Sequence, residues 1–330
     1  MVHLEAAYKT VIPVSPATEG YNTERLAVER YEFPAPKPAQ TKTAFLWTHS
    51  NGFHKETLHP LMHRFIRQLR QLSQYDHTDI HFVSFDARNH GDSALLNEGK
   101  HIPYFSWFDQ SFDTRQVIKE MRLKEDYDTL IGVGHSFGAT SMINLEFFYP
   151  KTFDGLCMLE PVIRDEVLDV EIRNEFPPIK FTDKRRDTWD SREACFKALA
   201  PRPFWRDLHP EVLENYVKFA LYDTPDGKVK LKCPKEEERD VYKVGFVPSI
   251  NAFASLRAVS IPVRFVLAHG SVFTDPTIGG LLREQSPRVS VDMVDGTHMV
   301  PGEKPDDIVP SIVALTNDVN TEKNRKAAKL

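Results

Sequence analysis

Residues 130–140 read LIGVGHSFGAT and decide the fold. An apolar run ends in Gly-His-Ser-Phe-Gly, and a helical stretch of small and apolar residues follows through Phe148. This G-x-S-x-G pattern between a strand and a helix is typical of a nucleophile elbow, a sharp turn that exposes a serine. Because strand and helix nearly collide at such a turn, the positions two before and two after the serine must lack bulk. Gly134 and Gly138 occupy them, so the pattern predicts that Ser136 is a nucleophile.

Composition bounds the class of protein. The chain has 330 residues, 41% of them hydrophobic and 27% charged, which predicts one large globular domain or two. A net charge of -5 gives no basic excess and argues against a nucleic-acid partner. Mean hydropathy is -0.40, and no run approaches the roughly 18 apolar residues of a membrane span. Residues 1–5 lack the layout of a signal peptide.

The cysteines and the last residues indicate a cellular compartment. Cys157, Cys195 and Cys233 form neither a disulfide framework nor a paired C-x-x-C metal site, so we interpret them as structural thiols of a reducing compartment. The printed sequence ends in Ala328-Lys329-Leu330, a close variant of the S-K-L peroxisomal address. We therefore predict a peroxisomal import receptor as a partner and a peroxisomal location, with the cytoplasm as the alternative.

A second polar loop follows the compact apolar run of residues 43–48. It reads His-Ser-Asn-Gly-Phe at positions 49–53. Such a loop can expose a backbone amide beside the nucleophile, and we assign the N–H groups of Asn51 and Phe137 as the oxyanion hole. Asn-Gly is also a common turn dipeptide, and the Asn51 side chain could donate instead of the backbone. The sequence leaves these alternatives open.

Other histidines are weaker candidates. His59 and His63 have i,i+4 spacing on a predicted helix that begins near His59, but no third ligand is evident, so no metal site is predicted. His90 lies in the dense polar turn at residues 86–93, where we expect Asp86 and Arg88 to tie loops together. His90 is therefore a poor candidate for a catalytic base.

The base and the acid are predicted from the later strands. His298 follows the last predicted strand in a glycine-bearing loop, ahead of a helix near residues 305–315, and is well placed to reach Ser136. Glu160 stands at the end of the strand at residues 155–159, before a proline that turns the chain away. Asp275 follows the strand at residues 263–268 and is the alternative acid.

Residues 162–250 differ in character from the rest of the chain. They carry many charges and aromatic residues and are interpreted as a helical insertion between two strands of the sheet. Aromatic residues in two places suggest an apolar pocket, namely Phe105, Trp107, Phe204 and Trp205. For the cluster at residues 104–108, core packing and the lining of an acyl pocket are equally open.

Strands that alternate with helices predict a parallel, doubly wound α/β sheet. The chain order of elbow serine, acid and late histidine resembles that of the α/β-hydrolases. Residues 49–52 resemble the family's His-Gly oxyanion loop, with Ser50 in place of glycine. Residues 86–93 resemble its D-x-R-G-H-G-x-S loop, with Asn89 in place of glycine. The stretch at residues 159–162 and the terminal tripeptide are similar to fungal peroxisomal serine hydrolases, a group that includes a yeast lipase and toxin-biosynthesis esterases.

The resemblance implies an α/β-hydrolase fold with a mostly parallel eight-stranded sheet, helices on both faces and a helical cap. Its core would span residues 1–161 and 251–317, its cap 162–250, and a flexible tail 318–330. Most members place an aspartate three or four residues past the glycine after the second-last strand. That window holds Ser271 to Thr274 here, whereas Glu160 matches a known alternative position, so we expect Glu160 to be the acid.

The predicted activity is hydrolysis of a small, apolar carboxylic ester through an acyl-enzyme, with no metal and no cofactor. Ser136 would be the nucleophile, His298 the base and Glu160 the acid. Acyl-CoA thioester cleavage and acyl transfer on the same residues are alternatives. A non-catalytic binding protein of the same fold is an alternative of a different class.

Overall fold

A computed structural model describes residues 2–19, 24–100, 105–167 and 175–327. Its main element is an eight-stranded sheet with the strand order β1-β2-β4-β3-β5-β6-β10-β11. The strands of this sheet are β1 Tyr8–Pro13, β2 Arg25–Phe33, β3 Thr41–Thr48, β4 Thr78–Phe85, β5 Thr129–His135, β6 Gly155–Leu159, β10 Val263–Ala268 and β11 Val289–Val294.

The pairing of the strands brings the polar loops to one edge. β2 pairs antiparallel with both β1 and β4, and every pair from β4 to β11 is parallel. Thr48 is level with Gly134, and His135 is level with Leu159. Since the carboxyl ends of parallel strands share an edge, the residues that follow β3, β5 and β6 start side by side. The predicted sheet is confirmed.

Helices cover both faces of this sheet, as predicted. The α-helices of the described residues are α1 Pro16–Glu19, α2 His59–Leu69, α3 Gly91–Leu96, α4 Trp107–Glu120, α5 Phe137–Phe148, α6 Pro177–Asp183, α7 Arg192–Leu199, α8 Pro203–Asp207, α9 Pro210–Phe219, α10 Lys235–Lys243, α11 Phe246–Ser255, α12 Ile278–Gln285, α13 Val300–Glu303 and α14 Pro305–Ala327. Three-residue or four-residue 3₁₀ helices lie at Lys55–Leu58, Ser73–Tyr75 and Leu256–Ala258. In the ranges that the structure describes, no helix is both long and apolar enough for a membrane crossing.

Alternation along the central strands divides the core in two. Ala44 and Leu46 of β3 belong to a cluster with side chains of α4, α5 and α12. Phe45 and Trp47, which point the other way, belong to a cluster with α2 and α14. This is the pattern of a sheet buried on both faces, and it explains why β3 and β5 are apolar nearly throughout.

The cap segment, which we define as residues 162–250, is not purely helical. It contains α6 to α10 and a small antiparallel sheet with the order β7-β9-β8. Those strands are β7 Thr188–Trp189, β8 Leu221–Asp223 and β9 Val229–Leu231. The prediction of a helical insertion therefore missed a short sheet.

The prediction of a flexible tail from residue 318 also differs from the structure. Helix α14 continues to Ala327, with Val319 buried in the core and Lys323 paired with Asp154 at 3.0 Å. The predicted targeting residues Ala328, Lys329 and Leu330 lie outside the described residues.

Candidate active site

The turn between β5 and α5 holds Ser136 in an unusual backbone conformation. Its φ is 58° and its ψ is -126°, a region that side-chain-bearing residues rarely adopt and that costs about 1–3 kcal/mol. A Cβ atom added to Gly134 would lie 2.6 Å from Ala139 Cα, and one added to Gly138 would lie 2.6 Å from the His49 carbonyl oxygen. Both glycines are therefore needed for the close approach that the sequence spacing indicates.

Three predicted residues are connected by hydrogen bonds. The Ser136 Oγ lies 2.8 Å from His298 Nε2, and His298 Nδ1 lies 3.0 Å from Glu160 Oε2. All three residues are buried. The Glu160 carboxylate accepts a hydrogen bond from the Nδ1–H group of His298. The Nε2 atom then carries no proton and can accept a hydrogen bond from the serine hydroxyl. This arrangement can withdraw a proton from Ser136.

Glu160 is fixed by its neighbours at the end of β6. Its φ is 46°, and its own N–H donates to the Val266 carbonyl at 2.8 Å. Its Oε1 accepts from the Ala268 amide at 2.6 Å, and its Oε2 accepts from the Ser271 hydroxyl at 2.5 Å. A fully buried carboxylate needs such donors, and here two of them come from β10 and the residues after it.

The alternative acid, Asp275, lies elsewhere. Its side chain is exposed, and its Oδ1 accepts from the amide and the hydroxyl of Thr277 at 2.9 Å and 2.8 Å. Those hydrogen bonds lower the pKa of the Asp275 carboxyl. Within the described residues Asp275 makes no hydrogen bond to His298, so the structure brings Glu160 and not Asp275 to the histidine.

His298 is held by two further rings. The Phe273 ring stacks on the imidazole with a centroid distance of 4.0 Å and an interplanar angle of 20°. The His135 Nε2 donates to the His298 carbonyl oxygen at 2.9 Å. Burial lowers the pKa of His135 to about 3, so this neighbouring ring is neutral and adds no charge beside His298.

The two predicted oxyanion donors line the same pocket as Ser136. Phe137 begins α5, so its N–H has no acceptor in a preceding turn. Among the described residues, neither the Phe137 amide nor the Asn51 amide donates a hydrogen bond. The Asn51 side chain is already engaged, since its Nδ2 donates to the Glu238 carbonyl at 2.9 Å. The backbone groups are thus the available donors.

His90 contacts the loop at residues 49–53, the predicted oxyanion loop. Its Nε2 accepts from the Gly52 amide at 2.9 Å, and its Nδ1 donates to Asn89 Oδ1 at 2.7 Å. Burial lowers the pKa of His90 well below its usual value, so the ring is neutral. These contacts agree with the prediction that His90 is not the base.

Buried ion pairs tie the loops at the edge of the sheet, as predicted for Asp86 and Arg88. The Lys55 ammonium lies 2.8 Å from Asp86 Oδ2. The Arg88 guanidinium contacts Asp113 at 2.6 Å and Glu24 at 2.9 Å. These carboxylates raise the pKa of Arg88 against the effect of its burial. Burial opposes the charge of Lys55 as well, but its carboxylate neighbours raise the pKa of Lys55 well above its usual value, so both cations stay charged inside the protein.

One group of carboxylates has the spacing of a cation site. Oxygens of Glu29, Glu56 and Asp92 all lie within 4.8 Å of one another. The Lys55 Nζ lies 3.9 Å, 2.7 Å and 2.8 Å from these three side chains. Lys9 pairs with Glu29 at 2.8 Å and Lys232 pairs with Asp92 at 2.5 Å, so several ammonium groups share these carboxylates in one ion-pair network.

A narrow pocket opens beside Ser136. Six of its twelve lining residues are aromatic, and the lining comes from both the core and the cap segment. The lining residues are Asn51, Trp107, Ser136, Phe137, Val162, Arg164, Phe176, Tyr242, Gly245, Phe246, Ser249 and Phe273.

Sequence reasoning found only part of this wall. Trp107 lines the pocket, whereas Phe105 packs beside it against the cluster of Trp107 and Phe137. Phe204 and Trp205 instead pack on Phe53. Tyr104 lies outside the described residues.

Phe176, Tyr242, Phe246, Phe273 and Arg164 were missed. Arg164, Phe176 and Phe273 lie outside regular elements, where no periodicity indicates a direction, whereas Tyr242 lies near the end of α10 and Phe246 begins α11. The adjoining glycine and aromatic pair Gly245-Phe246 was the one local signal.

A match to a protein family model shows to which family the chain belongs. The profile described as the alpha/beta hydrolase family matches residues 45–311. The chain belongs to this family. The match spans β3 to α14 and includes Ser136, Glu160 and His298.

Related proteins are fungal. The chain is 29% identical over 230 residues to the type I acyl-CoA thioesterase mpaH of Penicillium roqueforti, a match that covers 63% of this chain and 51% of the relative. It is 24% identical over 247 residues to the peroxisomal membrane protein LPX1 of Saccharomyces cerevisiae, covering 69% of this chain and 63% of the relative. The chain thus spans about half the length of the thioesterase relative. These relatives agree with the resemblance to fungal peroxisomal hydrolases.

Solved structures share the fold. The peroxisomal α/β-hydrolase Lpx1 of Saccharomyces cerevisiae superposes with a TM-score of 0.78 at 18% identity, covering 97% of this chain and 91% of the other. A thioesterase domain from the curacin biosynthetic pathway superposes with a TM-score of 0.65 at 12% identity, covering 94% and 100%. The α/β-hydrolase fold is therefore confirmed over nearly the whole chain.

Proposed function

We propose that this chain is a serine hydrolase that cleaves carboxylic esters through an acyl-enzyme. Ser136 is the nucleophile, His298 the general base and Glu160 the acid of the triad. One observation carries the proposal, namely the continuous hydrogen bonds of 2.8 Å and 3.0 Å from Ser136 through His298 to Glu160. Their position at a narrow pocket with a largely apolar lining favours an acyl group that packs on aromatic side chains.

The proposed reaction has two halves. In the first, Ser136 Oγ attacks the ester carbon while its proton moves to His298 Nε2, and the departing alcohol then takes that proton. In the second, water attacks the acyl-enzyme and gives its proton to His298; the bond between Ser136 Oγ and the acyl carbon then breaks, His298 returns the proton to Ser136 Oγ, and the carboxylic acid leaves. Glu160 holds the imidazole in the required tautomer and stabilises the imidazolium that forms. No step needs a metal or an organic cofactor.

The amides of Asn51 and Phe137 are the proposed oxyanion donors. Each would stabilise the tetrahedral intermediate by roughly 3–4 kcal/mol, the value typical of such donors. The cap segment would close the pocket above them and exclude water, which strengthens these hydrogen bonds.

The relatives favour a second reaction on the same residues. The curated Penicillium proteins are named acyl-CoA thioesterases, which supports thioester cleavage with a thiol as the leaving group. Incubation of the protein with phenyl esters and with acyl-CoA of matched chain length, followed by mass spectrometry of the products, separates the two reactions. Acyl transfer would give a new ester where hydrolysis gives a free acid.

Labelling by a fluorophosphonate probe tests the central proposal. We expect rapid labelling of the wild type at Ser136 and its loss in Ser136→Ala and His298→Ala. Asp275→Asn is a matched control that should label normally. Absence of labelling in folded wild type, together with ligand binding that Ser136→Ala leaves unchanged, would favour the non-catalytic binding protein.

We also propose import into peroxisomes through Ala328, Lys329 and Leu330. The tripeptide resembles the S-K-L address, and a similar yeast protein is named peroxisomal. A fluorescent protein fused ahead of the chain should colocalise with a peroxisomal marker, and removal of Leu330 should return it to the cytoplasm. Unchanged localisation after that removal contradicts the proposal.

A further inference from the structure

Arg164 is an unusual member of the pocket wall. Of the described lining residues it alone carries a formal charge, and the others are aromatic, apolar or neutral polar. Its Nε is buried and has no hydrogen-bond partner within residues 2–19, 24–100, 105–167 and 175–327. A buried donor without an acceptor is destabilising, so a substrate group that accepted a hydrogen bond from Arg164 would relieve this cost.

Arg164 differs from other enclosed arginines in lacking a carboxylate. Arg88 contacts Asp113 and Glu24. Arg185 contacts Glu238, and Arg264 contacts Asp292, although some guanidinium nitrogens of both also have no acceptor. In the described part of the chain, by contrast, no carboxylate lies within ion-pair distance of Arg164. Its guanidinium lies 5.8 Å from the centre of the Phe246 ring. Burial lowers the pKa of Arg164, and the nearby charge that opposes this effect is Glu166, whose side chain is exposed.

We propose that Arg164 binds a carboxylate carried by the acyl group of the substrate. The preferred substrates are then monoesters or monothioesters of dicarboxylic acids. This inference rests on the proposed function and deepens it. The reacting carbonyl lies at Ser136, the second carboxylate lies at Arg164, and the aromatic wall packs on the chain between them.

Physical chemistry favours this pairing. A guanidinium donates two parallel hydrogen bonds to a carboxylate, and the strength of this pair rises where water is excluded. The aromatic wall supplies such surroundings, and Phe246 stacks on the cation without satisfying its N–H groups. A neutral acyl chain would leave the arginine without an acceptor, so the pocket discriminates against it.

Turnover of matched phenyl esters tests the inference. Monophenyl glutarate and phenyl valerate differ only in a carboxylate that replaces a terminal methyl group, and succinate and adipate monoesters vary the length. We expect Arg164→Gln to lower kcat/KM for the best anionic ester about 10-fold to 100-fold, the effect of losing a hydrogen bond between charged groups. Phenyl valerate should change less than about twofold, because it never contacts the charge. Arg164→Lys should restore part of the loss.

Arg186→Gln is the matched control. Arg186 also lies over an aromatic ring, 5.5 Å from the centre of Trp189, but it is exposed and does not line the pocket. The Arg186→Gln variant should turn over both phenyl esters at the wild-type kcat/KM. Thermal unfolding of each variant verifies folding. If Arg164→Gln slows the turnover of valeryl-CoA and leaves the turnover of monophenyl glutarate unchanged, the recognised anion is a phosphate of CoA. That result overturns the inference.

Binding separates this inference from the proposed function. N-phenylglutaramic acid and N-phenylvaleramide are amide analogues that need no turnover. Calorimetry should show tighter binding of the acid to the wild type, and this preference should vanish in Arg164→Gln. That result together with absent ester turnover would reject the hydrolase proposal and retain the anion site. Equal binding of both amides to the wild type would reject the anion site whatever the turnover.

Discussion

The loops at the edge of the core sheet and the cap segment meet at Ser136 but are stabilised differently. The core loops are held by directional contacts, such as the hydrogen bonds to Glu160 and the ion pairs of Lys55 and Arg88. The cap segment has a cluster of its own, formed by packed apolar and aromatic side chains such as Trp189, Leu213 and Tyr216. Directional contacts fix reacting atoms, whereas packing fixes only a shape.

The largest effect should come from the core edge. Glu160→Gln keeps the shape of the side chain but removes the charge that orients His298, and we expect kcat to fall by about 10⁴-fold, as in other triads. Steady-state kinetics with a phenyl ester measures this. Asp275→Asn, which alters an exposed carboxylate, should stay near the wild-type value. A large loss of kcat in Asp275→Asn with little change in Glu160→Gln would make Asp275 the acid of the triad.

The next effect concerns stability of the same region. Asp113→Ala leaves the buried Arg88 guanidinium with one carboxylate partner, Glu24, and with the Thr18 hydroxyl, and we expect a loss of about 3–5 kcal/mol in the free energy of unfolding. Urea titration measures this loss. Asp126→Ala removes an exposed ion pair with Arg122 and serves as the control, with no measurable change. A small effect of Asp113→Ala would show that the core edge does not depend on this ion pair.

The cap segment should respond to a loss of packing. Leu213→Ala creates a cavity in its cluster, and we expect a loss of about 2–5 kcal/mol. Amide exchange should rise first in α7 and α9, while β5 and β6 stay protected. Phe181→Ala, at an exposed position, should leave exchange unchanged. An equal rise of the amide exchange rate in the cap segment and in the core sheet would show that the two regions unfold together.

The last effect is absent at neutral pH, develops only as the pH falls, and should come from His59 in the core. Burial lowers the pKa of His59 to about 3. The His59 Nε2 atom lies 2.9 Å from the Tyr31 hydroxyl, and the Nδ1 atom accepts a hydrogen bond from the Leu4 amide. The unfolded pKa is about 6.5, so the unfolded state binds the proton first as the pH falls. The neutral His59 therefore makes its full contribution to the free energy of unfolding above about pH 6.5. Below that pH the contribution falls by about 1.4 kcal/mol per pH unit until the pH reaches the folded pKa.

Variants isolate this proton. His59→Gln should flatten the dependence of unfolding free energy on pH by about one proton between pH 6 and 4. His269→Gln, at an exposed histidine, should leave the slope as in the wild type. An unchanged slope in His59→Gln would mean that His59 is protonated in the folded protein.

The same contrast explains what the sequence could predict. The elbow, the eight-stranded sheet and the late histidine depend on local spacing, so Ser136 and His298 could be predicted from a few neighbours. Glu160 could be predicted because it ends a strand at an alternative acid position of the family that the chain resembles. Its actual fixation by Ala268 and Ser271 depends on contacts across more than a hundred positions, which no local pattern reveals.

The errors have physical reasons too. The predicted flexible tail overlooked apolar positions that continue at three-residue or four-residue spacing through Ile312, Leu315 and Val319, all buried in α14. Arg164 and Phe176 lie in a segment without periodicity, and their position beside Ser136 results from the folding of the cap segment over the core.

Helix α10 is joined to the core by two donors, since Asn51 Nδ2 donates to the Glu238 carbonyl at 2.9 Å and Trp107 Nε1 donates to the Val241 carbonyl at 2.8 Å. For protein engineering, the cap segment is therefore not an interchangeable module. A cap transplanted from another enzyme would have to present an acceptor at both points. A graft that lacked the first acceptor would release the Asn51 side chain, and the oxyanion loop would shift before the specificity pocket itself had been redesigned.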